Sequence, residues 1–442
     1  MRRILRSSAV EAALLAGLSI YLLSGIDRVP FHPDEASLLF QSRDFESLLT
    51  RPLDMAWDSA QPPSPERAYR LLNAPLPKYV LAVGRRLAGF GPETVAVDWD
   101  WSKTWTQNAT AGALPRQELL TAARSASAVA LLIGVVALYL AARRFGGRAA
   151  GLAAAVLLGL NALALLHGRR AMAEGTLMAG LGIAVLGILA ADRRPFLAGL
   201  AVAVAIASKT SALPLVPIGW LAAAWPRGGH KASIGSAARA TGLYAAGFLL
   251  LTVALQPVLW RHPIQATEQM WQERRDLLAR QVADIALLAP DHVLGGLPQR
   301  TAILIANLYL APLQYSEVGN YLVEQRASIL EYEGGVGNTL LRSSAGGGLL
   351  LALTLLGLVW GWRRSRDAGG DERRVLILLL LATVAQGVGL IAAIPLPVQR
   401  YTLPLLPFLC LWQALGLVGV PTRESKRRPA IRAAQSPSPR EL

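Results

Sequence analysis

Leu120-Thr-Ala-Ala-Arg-Ser-Ala-Ser-Ala-Val-Ala-Leu-Leu-Ile-Gly-Val-Val-Ala-Leu-Tyr-Leu-Ala-Ala142 is an apolar run closed at once by Arg143-Arg144, and a second apolar run begins at about 148. Roughly 20 apolar residues in a helix cross about 30 Å of hydrocarbon, so the stretch reads as a transmembrane span backed by a basic loop. The pattern recurs in both directions. Candidate spans are 9–26, 120–142, 148–167, 171–191, 195–208, 210–225, 239–256, 344–362, 374–394 and 400–420. Segments 195–208 and 210–225 are short, with Lys209 between them and Pro214 and Pro217 just after it. They read as two spans meeting at the far membrane face, or as a broken pair reaching inside it. A further apolar run at 300–314 is ambiguous.

Composition agrees. Of 442 residues, 53% are hydrophobic and 17% charged, and the mean hydropathy is +0.38. Soluble domains carry about 25% charged residues, so a cytosolic enzyme is excluded. Lys and Arg exceed Asp and Glu by 44 to 29, a net charge of +15 with pI near 10.5. These basic residues fall in short clusters between apolar runs, which is the signature of a polytopic membrane protein and not of a nucleic-acid partner. Cys410 is the one cysteine, which excludes an intrachain disulfide and a multi-thiolate metal site. The fold class expected is an all-α polytopic membrane protein.

The short basic loops set the expected orientation. Arg2, Arg3 and Arg6 precede the first span; Arg143, Arg144 and Arg148 follow the second; Arg193 and Arg194 follow the fourth. Arg227 and Lys231 come after the sixth, Arg363, Arg364, Arg373 and Arg374 lie between later spans, and Arg423, Lys426, Arg427, Arg428 and Arg432 lie in the tail. All share one side if both termini are cytoplasmic and the ten spans cross. A full crossing at 300–314 would put the Arg363 cluster outside, so that segment is expected to lie on, or dip into, the outer face. The first apolar run can also be read as a signal peptide. Its imperfect cleavage site, Ser24-Gly25-Ile26-Asp27, and the charge parity favour an uncleaved anchor in the plasma (inner) membrane. Residues 1–420 then form one transmembrane domain, and 421–442 a disordered basic cytoplasmic tail.

Two long segments leave the membrane on the outer face, 27–119 and 257–343. Both exceed ordinary connector lengths. They carry Trp57, Trp99, Trp101, Trp105, Trp260, Trp271, Tyr315 and Tyr321, side chains suited to the lipid interface or to stacking on sugar rings.

The informative charges break the orientation rule. Arg169, Arg170, Lys209 and Arg400 sit at outer-face helix ends, where basic residues are expected to be few. Singly, each can snorkel to lipid headgroups; together they suit a lipid phosphate, gripped bidentately by Arg and as a point charge by Lys. Just past the first span comes Phe31-His32-Pro33-Asp34-Glu35-Ala36. Asp34 and Glu35 can simply complement a helix dipole opened by Pro33, or can supply a carboxylate base at the membrane surface. His32 is a metal ligand only in principle, because five histidines without paired spacing make no metal motif.

At these residues the chain resembles the polyprenyl-phosphate-dependent glycosyltransferases of the GT-C fold, the group that includes protein O-mannosyltransferases and aminoarabinose transferases. The Asp34-Glu35 pair is the most specific element. Asn73-Ala-Pro-Leu-Pro-Lys78-Tyr79 looks like the family's His-Pro-Pro-Leu-x-Lys segment, with Asn73 where His is usual. Arg169-Arg-Ala-Met-Ala-Glu174 resembles its Arg-x-x-x-x-Asp/Glu signature, with Glu174 where Asp is commoner. Lys209-Thr-Ser-Ala-Leu-Pro214 is similar to its Lys-x-x-x-x-Pro turn, and Gln399-Arg400-Tyr401-Thr-Leu-Pro-Leu-Leu-Pro407 to the Arg-Tyr-x-x-Pro entry of its last span.

The resemblance implies a GT-C-type bundle of about 10–11 transmembrane helices with amphipathic helices in the two outer loops. It also implies inverting transfer of a sugar from a polyprenyl phosphate to a protein, glycan or lipid acceptor of the cell envelope. Asp34 would be the base, with Glu35 orienting the acceptor. Arg169, Lys209 and Arg400 would hold the donor phosphate, helped by Arg170 and Lys78. Tyr401, Glu174, His32 and Asn73 would line the substrate pocket. No cofactor follows with certainty, and a divalent metal is left open. Two other classes compete: a transporter or flippase of a lipid-linked or anionic substrate, and a non-catalytic assembly subunit. The transporter class favours repeats and midplane charges, and neither is evident here.

Overall fold

The computed structural model describes residues 8–225, 233–317 and 321–419, and among these every regular element is helical. The candidate tail 421–442 and the basic residues Arg2, Arg3, Arg6, Arg227 and Lys231 lie outside the described residues. Seven helical segments are long and apolar enough to cross a membrane: Ser8–Arg28, Gln117–Gly159, Ala173–Ala190, Ile234–Leu255, Ser344–Asp367, Gly370–Ala393 and Gln399–Val418. Pro195–Ser208 and Thr210–Ala224 are shorter apolar helices.

The expected span 120–142 and the first part of 148–167 lie in the single stretch Gln117–Gly159, which turns back on itself at Gly147. There φ is 76° and ψ −171°, a conformation open to glycine and strained for any residue with a Cβ. Beyond the turn Gly151 packs flat against Tyr139, so the two halves run antiparallel. The second half ends at Leu160. Asn161 then caps a new helix, Ala162–Arg169, accepting from the Leu163 amide at 3.0 Å.

Lys209 breaks the next pair by adopting an extended conformation, φ −164° and ψ 132°. The two short helices form a hairpin with Lys209 at its turn. Arg374 holds the Trp225 carbonyl at 2.8 Å and pairs Asp192 at 3.2 Å, which returns the end of the second helix to the start of the first. Lys209 therefore marks the opposite end of the bundle.

The basic clusters collect at one end. Glu11 pairs Arg143 and Arg148, each at 3.4 Å, Arg364 reaches the Phe145 carbonyl and pairs Glu372, and Arg374 bridges Asp192 to Trp225. The long loops, with Asp34, Glu35, Arg169, Arg170, Lys209 and Arg400, occupy the other end, called the loop end below. Residues 297–310 form the helix Leu297–Ile305 and one wide turn, Ala306–Leu310. At about 1.5 Å per residue this is too short to cross. Arg300 binds the Ala392 carbonyl at 2.9 Å and Arg342 the Leu308 carbonyl at 2.9 Å, so both parts are tied to the loop end.

Helices approach closely where glycines face backbone. Gly357 lies on the Trp412 carbonyl and Gly416 on the Leu353 carbonyl, a reciprocal contact that any Cβ would block.

Most of the loop aromatics pack against other rings. Trp99 makes edge contacts with Trp105 at 5.5 Å and Tyr321 at 5.4 Å, and Phe31 joins them at 5.7 Å. Trp57 packs against His262, and Tyr315 against Tyr332. Trp271 and Trp101 remain exposed.

Candidate active site

The helix Pro33–Gln41 carries the acidic pair, and its start explains why both carboxylates are fixed. Pro33 occupies the first helical position, where its missing N–H costs nothing. The His32 Nδ1 accepts from the Asp34 amide at 3.1 Å, while Glu35 Oε2 accepts from the His32 amide at 2.9 Å. This is a capping box with histidine in the usual hydroxyl position. With Nδ1 accepting, the ring proton lies on Nε2, which donates to Glu317 Oε2 at 2.8 Å.

The neighbouring carboxylates diverge. Glu35 is fully buried and takes Arg124 on both oxygens, Nε at 2.7 Å and Nη2 at 2.8 Å, with the Ala171 amide at 2.8 Å. Burial alone would raise its pKa; Arg124, Arg170 and the Ala171 amide outweigh burial and hold it below its ordinary value. Its lone pairs are occupied, so Glu35 ties the loop end to two span ends. Asp34 points the other way and is a quarter exposed, paired with the Arg400 guanidinium. Arg400 Nε also lies 2.7 Å from Glu317 Oε1. The result is a chain of polar contacts: Asp34, Arg400, Glu317, His32. Burial pushes the Glu317 carboxyl up, and Arg400 and His32 together hold it well below the ordinary carboxylate range.

Lys209 completes the open face. Its ammonium bonds Glu174 Oε1 at 2.7 Å and stands 5.7 Å from the Tyr401 ring centre. Arg400 is likewise 5.7 Å from that ring, so Tyr401 lies between two cations. Behind Asp34, Tyr69 donates to Asp98 at 2.6 Å and feels the Asp34 charge.

The structure thus brings together Asp34, Arg400, Lys209, Tyr401, Glu174 and His32. Others sit elsewhere. Arg169 is buried on the Leu22 carbonyl at 3.0 Å and Asn338 at 3.2 Å, under the Tyr21 ring. Arg170 holds the Pro30 carbonyl at 3.0 Å and that of Tyr315 at 2.9 Å, beneath the cluster. Lys78 is buried on Asp44 at 2.5 Å, where Arg70 also binds, and Asn73 bonds Gln41 at 2.9 Å. These two pin the loop helices.

Glu317 and Arg124 escaped the sequence reading. Arg124 had a signal, as an ionisable residue inside the run 120–142. Glu317 had none, being one acidic residue in a loop without a motif. The cluster presents no preformed divalent-metal site: Asp34 faces Arg400, and Glu317 faces Arg400 and the His32 Nε2–H, so the oxygens a hard ion needs are already engaged. Among the described residues no group of three or more His, Cys, Asp or Glu is placed to hold a metal ion.

Neither a protein-family model nor a curated protein matches the chain by sequence. Solved structures do match. Over 97% of its length the chain is similar to ArnT from Cupriavidus metallidurans, solved with undecaprenyl phosphate, at a TM-score of 0.50 and 16% identity. It covers 64% of ArnT, so it spans less than two thirds of that protein's length. Over 98% it is similar to the archaeal oligosaccharyltransferase AglB from Archaeoglobus fulgidus, at a TM-score of 0.49 and 11% identity, covering 52% of that chain. A weaker match is to the Pmt1-Pmt2 protein O-mannosyltransferase complex of S. cerevisiae, over 58% of this chain and 34% of that one, with a TM-score of 0.37 and 16% identity. The helical bundle, its elaborated loop end and the likeness to ArnT define a membrane protein of the GT-C fold.

Proposed function

We propose that the chain is a membrane glycosyltransferase that takes a sugar from a polyprenyl phosphate and passes it, with inversion, to a hydroxyl acceptor on the extracytoplasmic side. The loop end then faces outward from the plasma membrane, and the basic end, with both termini, faces the cytoplasm. The observation that carries this reading is the Asp34–Arg400 pair, which sets a partly exposed carboxylate against a cation beside a second cation, Lys209. ArnT, which shares the fold, was solved with undecaprenyl phosphate bound.

In this mechanism the donor phosphate enters between Arg400 and Lys209 and draws the guanidinium from Asp34. Asp34 is then free to accept the acceptor's hydroxyl proton as that oxygen attacks the anomeric carbon. The carbon–oxygen bond to phosphate breaks, and its electron pair leaves on the polyprenyl phosphate. Arg400 and Lys209 stabilise that growing charge, which is where preorganised cations contribute most. Glu317 and His32 aim Arg400, and Tyr401 spaces the two cations. The acceptor is a protein, glycan or lipid of the cell envelope.

Binding of undecaprenyl phosphate to purified wild type, Arg400→Ala and Lys209→Ala tests the phosphate site. Each variant should bind at least about tenfold more weakly, the loss of one charge-assisted hydrogen bond. Equal binding by all three would remove the phosphate site from this end of the bundle.

A further inference from the structure

His167 lies in the last turn of Ala162–Arg169 and is 3% exposed. Neither of its ring nitrogens has a hydrogen-bond partner among the described residues. Leaving buried polar atoms unpaired is destabilising, so a core position of this kind would be better filled by Leu or Phe. The surroundings are as unusual. The charges acting on His167 are those of Arg170, Glu174, Arg400 and His32, which are residues of the cluster or lie directly beneath it. Two of these also keep an unpaired buried atom: Arg170 Nη1, a donor, and Glu174 Oε2, an acceptor. Buried donors and acceptors without protein partners in one neighbourhood suit a ligand that carries both.

Resting on the function proposed above, we infer that His167 is a ligand-binding residue of the donor site. One ring nitrogen donates to an oxygen of the donor's phosphate, alongside Arg170 Nη1. The other accepts from a sugar hydroxyl, and Glu174 Oε2 takes a second hydroxyl. A glycosyl phosphate offers this mixture of acceptors and donors, whereas a bare anion satisfies only the donors. The sequence reading passed over His167 because a single histidine near a span end carries no spacing signal.

The test compares wild type, His167→Phe and His167→Gln in detergent, by melting temperature and by affinity for undecaprenyl phosphate and for inorganic phosphate. His167→Phe should melt at or above the wild-type temperature, because no internal bond is lost, yet bind undecaprenyl phosphate at least about tenfold more weakly. His167→Gln should stay within about threefold of wild type, since it keeps a donor and an acceptor. If the Phe ring does not fit, His167→Leu serves the same comparison. Unchanged affinity in the apolar variant, or a melting temperature lowered in both apolar variants, would overturn the proposal and make His167 structural. Tenfold loss for inorganic phosphate alone would assign the site to a free anion and overturn the donor role. Wild type that binds neither probe would overturn the underlying functional reading instead.

Discussion

Asp34 and Arg400 are 366 positions apart, at the two ends of the described chain, and their side chains form an ion pair at the loop end of the bundle. Everything between them, from the turn at Gly147 to the break at Lys209, folds so as to bring the first outer helix against the entry of the last span. Arg400 meets two carboxylates, and Lys209 meets one. A phosphate arriving between the two cations exchanges carboxylate partners for phosphate oxygens.

Arg400→Lys separates charge from geometry. Lysine keeps the positive charge and loses the planar fork that reaches Asp34 and Glu317 at once. Turnover should fall by about one to two orders of magnitude while undecaprenyl phosphate affinity changes less, and a kinetic titration of the donor lipid reads both. Wild-type turnover in this variant would mean that bridging is unimportant.

Glu35 and Arg124 make a different prediction. Both are buried, and removing one partner strands the other, a loss of about 3–5 kcal/mol. Glu35→Gln and Arg124→Met should each lower the melting temperature sharply, and the double variant should recover part of it. The pair also sets an acid limit. Glu35 has a pKa below its ordinary 4.5 in the folded state, so the unfolded chain binds more protons between the two values. Its contribution is complete above about pH 4.5 and is lost as pH falls through the lower folded value. Glu35→Gln should flatten melting temperature against pH in that window.

The loop aromatics separate packing from contact with substrate or lipid. Trp99 is buried among Phe31, Trp105 and Tyr321, and Trp99→Ala should destabilise the protein by about 3–5 kcal/mol. Trp101, 44% exposed at the edge of the same group, should leave stability within about 0.5 kcal/mol when changed to Ala. Denaturation of both variants in one detergent compares them directly. Equal losses would show that Trp101 is also part of the packed group.

Gly357→Leu should separate the helices Ser344–Asp367 and Leu406–Val418, because its side chain would occupy the place of the Trp412 carbonyl. Lower yield of monodisperse protein is the expected readout. Gly348→Leu is the control, since a Cβ there meets nothing nearby.

Much of this was legible in the sequence for a simple physical reason. Lipid demands long apolar helices and sorts basic loops to one side, so the spans and the common end of Arg143, Arg364 and Arg374 follow from hydropathy and charge alone. Lys209 and Arg400 were legible because they break that sorting, and Asp34 because it follows directly on the first span. Which partner each charge takes was not legible. Arg169 and Arg170 share a motif, yet Arg169 turns to the Leu22 carbonyl and Arg170 to those of Pro30 and Tyr315. Asp34 and Glu35 are adjacent, yet successive helical positions point about 100° apart, which sends one into the core and leaves the other open. Glu317 is set by long-range packing of a loop against His32, and no local pattern announces it.

The most direct test is donor consumption in cell-envelope membranes, which carry the acceptor, with wild type and Asp34→Asn given a panel of polyprenyl-phosphate sugars and the lipids followed by mass spectrometry. The account predicts that wild type consumes one donor and releases polyprenyl phosphate. Asp34→Asn, inserted and folded as well, should do so at least about 100-fold more slowly, as expected for loss of a general base. Consumption at the wild-type rate by Asp34→Asn would contradict the assignment of the base, and with it the chemistry placed at the Asp34–Arg400 pair.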